Sequence, residues 1–367
     1  MRRYSCNQLR KARIGVIGAG NSGRIAIESL LEENYYHAQF ILVDTDQSSM
    51  ALSKQGEHPL FDRILLVDNQ SKPHKTLYGT DGDTHLGEAA TWGTTNKIKS
   101  VIRHFDMLFL LGGLGGGTAS AALPIIAQAA KELDIMTVAI VTSPFGFEEL
   151  ERHRIAYQSI TALNLLADAL LVMHGDDLLD QVKTRTHLEK AWAQANKLRH
   201  NCVYIIEQLT QYPSIINIDF ADVKAILNNK GASLFTHGIG KGDEKIQQAV
   251  QNALICPWLG HSIVGAKNLL MHIVVPVDQP FLDIVEVANK ITASVGSQAS
   301  IIWGVSEDPC LGDEIHILLL ATGFNEITQT SHVTNSFMRE ALDYKRERHT
   351  LADHYWSVGH REASAPN

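Results

Sequence analysis

Three stretches of this sequence carry residue types that can do chemistry. Gly18-Ala19-Gly20-Asn21-Ser22-Gly23 fits GxGxxG after an apolar run, and Asp44 follows twenty-one residues after Gly23. That spacing is where a dinucleotide fold puts its ribose-binding acid, so the loop taken alone points to a nicotinamide or flavin enzyme or, more simply, to a tight strand-to-helix turn. The second stretch is denser: five of the six residues from Gly112 to Gly117 are glycine, and Thr118 follows. Glycine inside a helix costs roughly 1 kcal/mol relative to alanine, so this concentration calls for a ligand or a close approach. Consecutive backbone N–H groups facing one concavity at a helix start hold an anion, and a polyphosphate fits that description. No GxxxxGK[ST] occurs, so amides and a metal, with the hydroxyl of Thr118 and secondarily that of Ser120, would have to balance the phosphate charge. The third stretch is Asn217-x-Asp219-x-x-Asp222, which read locally is an N-cap followed three positions on by an acid.

These residues must be positioned by the elements around them. ARIGVIGAG reads as a strand ending in a glycine turn, RIAIESLLEE as a helix and QFILVDTD as a strand. ILLVD near 64–68, FDMLFLLGG, MTVAIVTSPF and DALLVMHGDDLL are further strands, and SAALPIIAQAAKELD is a helix with a proline in its early turns. This alternation predicts a parallel sheet covered on both faces over residues 12–185, because parallel strands need crossover connections. A long helical stretch, HLEKAWAQANKLRHNCVYIIEQL, connects it over 186–209 to a smaller α/β unit at 210–324, with strands LLMHIVVPV, ASIIWGVS and EIHILLLATG and helix DIVEVANKITASV. The remainder, 325–367, is a polar, charged tail.

Composition narrows the class. The 367 residues are 45% hydrophobic and 20% charged, as in soluble globular domains, and the net charge of -8 gives no electrostatic footprint for non-specific nucleic-acid binding. Four scattered cysteines without CxxC spacing indicate neither a zinc site nor a disulfide framework. The basic start lacks the apolar core of a secretory signal, and no apolar run reaches the roughly 18 residues of a spanning helix. The expectation is a cytoplasmic protein with neither a nucleic-acid partner nor direct membrane insertion.

The GGGTASA segment resembles the GGGTGTG or GGGTGSG signature of the tubulin/FtsZ superfamily of polymerising GTPases, with FtsZ the closer branch. The likeness continues through VAIVTSPFGFEELERHR, LLVMHGDDLL, INIDFADVKAIL and DEIHILLLATGF, in order, over roughly residues 12–324. It implies a Rossmann-like parallel-sheet GTPase domain, a long connecting helix and a smaller α/β C-terminal domain. It also implies GTP or GDP as ligand with Mg2+, self-assembly into head-to-tail protofilaments, a place in cell division or a related cytoskeletal process, and a co-assembling paralogue as a further partner.

Carried over position by position, the resemblance puts Gly18, Ala19, Gly20 and Asn21 in a first phosphate loop and Asp44 in the loop after the second strand. Gly113, Gly115, Gly116, Gly117, Thr118 and Ala119 form the second phosphate loop. The segment from Thr80 to Asp83 falls where the γ-phosphate is sensed, Glu148 and Arg152 match the ribose-contacting pair, and Trp192 and Asn196 match the residues that stack on guanine and read its edge. Asn217, Asp219 and Asp222 match the loop that enters the pocket of the next subunit and positions the attacking water. Carboxylates can orient and polarise such a water in line with the γ-phosphate. The metal ligands are not identified by the resemblance.

The departures are specific. Ala119, Ser120 and Ala121 replace the glycine, threonine and glycine that follow the first threonine of the signature. Asn21, Ser22 and Arg24 interrupt a stretch that is normally almost all glycine, Ile25 replaces a usual asparagine, and Gly175 replaces another before Asp176. The short hydrophobic and basic peptide at the C-terminus of division proteins is missing. Together these point to a divergent FtsZ-like paralogue. Three function classes follow: a polymerising GTPase, a nucleotide-binding assembly module with little turnover, and an NAD-dependent oxidoreductase.

Overall fold

The structure, a computed structural model, describes residues 12–32, 38–51, 61–68, 78–176, 196, 199–206, 215–216, 218–227, 233–256, 261–296 and 299–324. Its first unit is a six-stranded parallel sheet in the order β3-β2-β1-β4-β5-β6, built from β1 (Ile14–Ala19), β2 (Ala38–Asp44), β3 (Phe61–Leu65), β4 (Met107–Gly113), β5 (Met136–Thr142) and β6 (Ala169–Met173). Successive residues point to opposite faces of a strand, and here both faces are buried. Ile17, Ile41, Leu110 and Ala139 belong to one cluster, and Val16, Phe40, Phe109 and Val138 to another.

The first cluster is closed by α3 (Thr84–Ile102), α4 (Gly117–Glu132) and α5 (Leu150–Leu166). The second is closed by α1 (Gly20–Glu32) and by Cys202, Val203, Ile205 and Ile206 of the helical segment at 199–206. A short α2 (Gln47–Ala51) follows β2.

The same second cluster runs on into the other unit, so the two share one core. That unit is a four-stranded sheet in the order β11-β10-β12-β7: β7 (Ser233–Lys241), β10 (Asn268–Val275), β11 (Ser300–Glu307) and β12 (Glu314–Thr322). Strand β10 is parallel to β11 and antiparallel to β12, which in turn is antiparallel to β7. The helices here are α6 (Phe220–Leu227), α7 (Lys245–Leu254) and α8 (Phe281–Val295), and Ile255–Cys256 (β8) pairs with His261–Ser262 (β9).

Among the elements that depart from the sequence expectation, three show why. α3 contains two glycines and four threonines, which dilute its apolar period, yet Asp83 caps it by accepting from the N–H groups of His85 and Leu86. β7 carries Gly238 and Gly240, which read as turn residues. Both sit against α7, where a Cβ at Gly238 would lie 2.5 Å from the nitrogen of Ala253, so the glycines exist to let the helix lie directly on the strand. β3 begins at Phe61, three residues before the expected run near 64–68.

Pro124 lies inside α4 without breaking it. Proline removes one i to i−4 bond, which frees the carbonyl of Ser120, and the hydroxyl of Ser159 in α5 donates to that carbonyl at 2.9 Å. The defect thereby becomes a contact between helices.

Candidate functional site

In a sheet of order 3-2-1-4-5-6 the strand order reverses between β1 and β4, and the crevice beyond the carboxyl ends of these strands is where such folds take ligands. A cavity of about 510 Å3 occupies that position, within the range of small-molecule sites. Both glycine loops open into it, so the N-termini of α1 and α4 converge there. No side chain caps α4: its N-cap is Gly116, and the first amides of the helix are left for a ligand.

The glycines of the second loop have separate tasks. Gly115 adopts φ +102°, and a Cβ there would meet Pro144 at 2.8 Å; its N–H donates to Ser120 Oγ at 2.9 Å. Ser120 therefore braces the loop from inside, buried, rather than facing the cavity. Gly116 has open space where a Cβ would go and lines the cavity. Gly117 is pressed against the neighbouring loop: a Cβ would collide with Thr80 Oγ1 and come within 2.6 Å of the Asp83 carbonyl oxygen. In the first loop Gly18 and Gly23 face each other closely enough that a Cβ on Gly18 would lie 2.5 Å from the Gly23 carbonyl oxygen, so this pair sets the strand-to-helix packing.

Of the residues singled out from sequence, Ala19, Gly20, Asn21, Asp44, Gly113, Gly116, Gly117, Thr118, Ala119, Glu148 and Arg152 line the cavity, whereas Gly18 and Gly115 sit behind it. Glu148 and Arg152 pair at 2.6 Å, and Glu148 also accepts the N–H of Phe145 at 2.9 Å, which folds the 144–148 turn onto the rim. Asn196 is buried, and its Oδ1 accepts from Arg199 at 2.7 Å. Trp192 and Asn217 lie outside the described residues.

The two alanines that replace signature glycines have different surroundings. Ala119 lines the cavity beside Gly20 and Gly112. Ala121 is buried and points to α3, where its Cβ would be 2.9 Å from a Cβ placed on Gly87. Of the two methyls, only that of Ala119 therefore faces the cavity. Gly175 lines the cavity, and a Cβ there would meet the Phe145 backbone at 2.9 Å, so glycine at this position lets the 144–148 turn settle over the end of β6.

Asp44 is buried, and its carboxylate accepts from the N–H groups of Thr45 (2.7 Å) and Asp46 (3.2 Å) and from Ser49 Oγ (3.0 Å). Burial pushes its carboxyl above the usual range, with those hydrogen bonds opposing the shift. The bonds organise the loop and leave the carboxylate little capacity for a ribose, which weakens the dinucleotide reading of GAGNSG. Above it, Thr45 Oγ1 and Thr118 Oγ1 stand 2.7 Å apart, with Thr80 Oγ1 3.5 Å from Thr118. Among the described residues no group of three or more His, Cys, Asp or Glu is placed to hold a metal ion.

Asp219 and Asp222 do not line this cavity. Each accepts the other's backbone N–H, at 2.9 and 3.0 Å, closing a reciprocal cap at the start of α6. Lys224 on the same helix reaches Asp134 at 3.7 Å, in the turn between α4 and β5. That turn is at the amino edge of the parallel sheet, the length of β5, about 20 Å, from the edge that bears the cavity.

Sequence reasoning passed over Ser49, Thr142, Ser143 and Pro144 as cavity residues. The usable signal was topological: every strand of a parallel sheet delivers its C-terminal residues to the same edge, so the ends of β5 and β6 belonged with the glycine loops.

Family models match the chain twice: the GTPase domain of the tubulin/FtsZ family over residues 13–183, and the C-terminal domain of the FtsZ family over 231–325. Among solved structures, an empty FtsZ dimer from M. jannaschii is 31% identical, with 86% of this chain and 89% of that one aligned and a TM-score of 0.74. The GDP-bound CetZ1 monomer from Haloferax volcanii shares the fold at 18% identity, covering 91% and 99% with a TM-score of 0.73. The GTPγS-bound CetZ2 protofilament from the same organism does so at 18%, covering 91% and 99% with a TM-score of 0.70.

Proposed function

The chain belongs to the tubulin/FtsZ family as a divergent FtsZ-like member, and from that premise we propose that it polymerises head to tail and hydrolyses GTP at the contact between subunits. The observation that carries this reading is the separation of the cavity from α6. Phosphate-binding loops and acidic helix start lie at opposite edges of one sheet, so the carboxylates of Asp219 and Asp222 can act on a nucleotide only in another subunit's cavity. Stacking subunits in one direction brings the two together, and a heterologous contact of this kind propagates as an open filament.

In this reading residues 12–185 form the GTP-binding domain, 186–209 the connecting helix, 210–324 the C-terminal domain that completes the neighbouring site, and 325–367 a tail. The amides at the start of α4, with Gly20 and Asn21, hold phosphates; Glu148 and Arg152 hold the ribose; Trp192 and Asn196 are assigned to the base by the family resemblance alone, Asn196 being buried against Arg199 and absent from the cavity lining; Asn217, Asp219 and Asp222 order the attacking water. Gly18 and Gly115 contribute by shaping the loops. A bound Mg2+ would supply charge neutralisation for the phosphates, and Thr118 and Asp46, which line the cavity, would be its oxygen donors. The setting is cytoplasmic, in cell division or a related cytoskeletal process.

A second reading rests on Ala119, whose methyl occupies part of the cavity wall. It is a nucleotide-binding assembly module with slow turnover, on its own or with a co-assembling paralogue. Light scattering and phosphate release measured with GTP separate the two. Filaments with concentration-dependent release support the GTPase, and filaments with negligible release support the slow module. A chain that neither binds GTP nor assembles sinks both. Asp222→Ala should assemble with release reduced at least tenfold; undiminished release from intact filaments overturns the role in trans.

A further inference from the structure

Arg24 lies one turn into α1 and lines the cavity, and its partners define what it does there. Its Nη1 donates to both carboxylate oxygens of Glu28, at 2.8 and 2.9 Å, and its Nη2 donates to Asn21 Oδ1 at 2.8 Å. The Arg24 and Glu28 side chains are about 19% and 24% exposed, so this is a sheltered pair rather than a solvated one. An arginine has five N–H donors and no acceptor. The atom of Asn21 that meets it must therefore be the carbonyl oxygen, and the amide of Asn21 is held with its NH2 as the free end. Asn21 itself lines the cavity at the N-terminus of α1, in a loop that contains no lysine.

From this geometry we propose that Arg24 is a positioning residue for phosphate recognition: by clamping the carbonyl oxygen of Asn21 it turns the Asn21 amide into a fixed donor for a nucleotide phosphate oxygen. The assignment deepens the nucleotide reading above and rests on it. Glu28 is the other half of the device. It neutralises Arg24 in the absence of ligand and fixes the guanidinium plane, so that the clamp stands ready before a nucleotide arrives. A donor held in place loses less freedom on binding than one that must be ordered by the ligand. The position where the family resemblance expects another glycine thus supplies a side-chain donor that a bare glycine loop lacks.

The test is equilibrium binding of GTP, GDP and guanosine to the full chain at several salt concentrations, with thermal unfolding of each variant as a check on folding. Asn21→Asp keeps an acceptor for Arg24 and removes the donor; Asn21 is exposed, so the change does not threaten the fold. It should weaken GTP and GDP at least tenfold and leave guanosine within twofold. Arg24→Gln should weaken GTP and GDP by a smaller factor, with Arg24→Lys recovering part of the loss. Glu28→Gln, which leaves Nη1 one acceptor instead of two and loosens the clamp, should weaken both nucleotides by less than Arg24→Gln does; tighter binding would mean that Arg24 meets phosphate directly, and would overturn the positioning role. A wild-type chain that binds GTP while Asn21→Asp and Arg24→Gln bind it equally well overturns this assignment alone, as does an equal loss for guanosine. A wild-type chain that binds no GTP overturns the nucleotide reading, and this assignment with it.

Discussion

The hydroxyls of Thr45 and Thr118 stand 2.7 Å apart, joining the loop after β2 to the first turn of α4 across the point where the strand order reverses. One hydroxyl must donate and the other accept, so the oxygen that donates has its proton committed within the protein. Thr118 is the one that lines the cavity.

Thr118→Val preserves shape and removes the bond. It leaves Thr45 Oγ1, which is buried, without this partner, and should lower stability by about 1 kcal/mol while weakening GTP. Thr45→Val breaks the same bond from the other side. If Thr45 acts only by orienting Thr118, its variant loses a similar amount of stability and less affinity. Chemical denaturation and nucleotide titration of both variants check this, and equal affinity losses would mean that Thr45 touches the ligand itself.

Gly116 and Gly117 are adjacent, yet their substitution should have different consequences. A Cβ at Gly117 meets Thr80 Oγ1 and the Asp83 carbonyl, so Gly117→Ala forces α3 and α4 apart and should cost about 1–3 kcal/mol. Gly116 has ordinary negative φ (−101°) and open space, so Gly116→Ala should melt within a few degrees of wild type while occupying ligand volume and reducing GTP affinity. Thermal melts with and without GTP separate the cases. A Gly116→Ala chain with undiminished GTP stabilisation would show that the nucleotide does not approach this amide.

Ala119 and Ala121 divide in the same way. Ala119→Gly removes the one methyl of the pair that faces the cavity and should raise GTP turnover or affinity. Ala121→Gly opens a gap against Gly87 and adds backbone freedom, and should cost about 1 kcal/mol or more of stability with the rate per filament unchanged. Phosphate release normalised to polymer mass reads both effects. A rate gain from Ala121→Gly instead would mean that the packing of α3 on α4, not the cavity wall, limits the rate.

His272 is fully buried on β10; Nε2 bonds Ser306 Oγ at 2.9 Å, while Nδ1 has no partner among the described residues. Burial pushes its pKa down to about 4. Between the unfolded value near 6.5 and about 4, the unfolded chain binds a proton that the folded chain refuses, so stability falls as the pH falls through that window. The full effect is about 3 kcal/mol. His272→Gln should therefore flatten the acid limb of a stability–pH curve by about one proton between pH 6.5 and 4. An unchanged slope would mean that the imidazole charges within the folded protein.

The parts of the site that were legible in the sequence are those written in local chemistry. Glycine loops after apolar runs name their own location, and Asp44 follows from its spacing to the first of them, whereas the Glu148–Arg152 pair was assigned to the site by the family resemblance. What was illegible depends on contacts between distant segments. Nothing near Ala121 in the chain says that it faces Gly87 while Ala119 faces the cavity. Nor does Arg24 reveal on its own whether it meets solvent, phosphate or Asn21. Strand β7 was hidden because its glycines answer to a helix packed on them, a tertiary demand that overrides their reading as turns. The Asp219–Asp222 spacing carried both a capping and a functional meaning from the start, and the structure realises the cap.

That cap has a kinetic consequence. Because each aspartate already grips the other's backbone amide, the start of α6 is shaped during folding, before any neighbour is met. In the filament proposed above, an incoming subunit would then offer a preformed surface, so that encounter would be governed by diffusion and orientation instead of by a slow local rearrangement, and turnover could begin as soon as the contact is made.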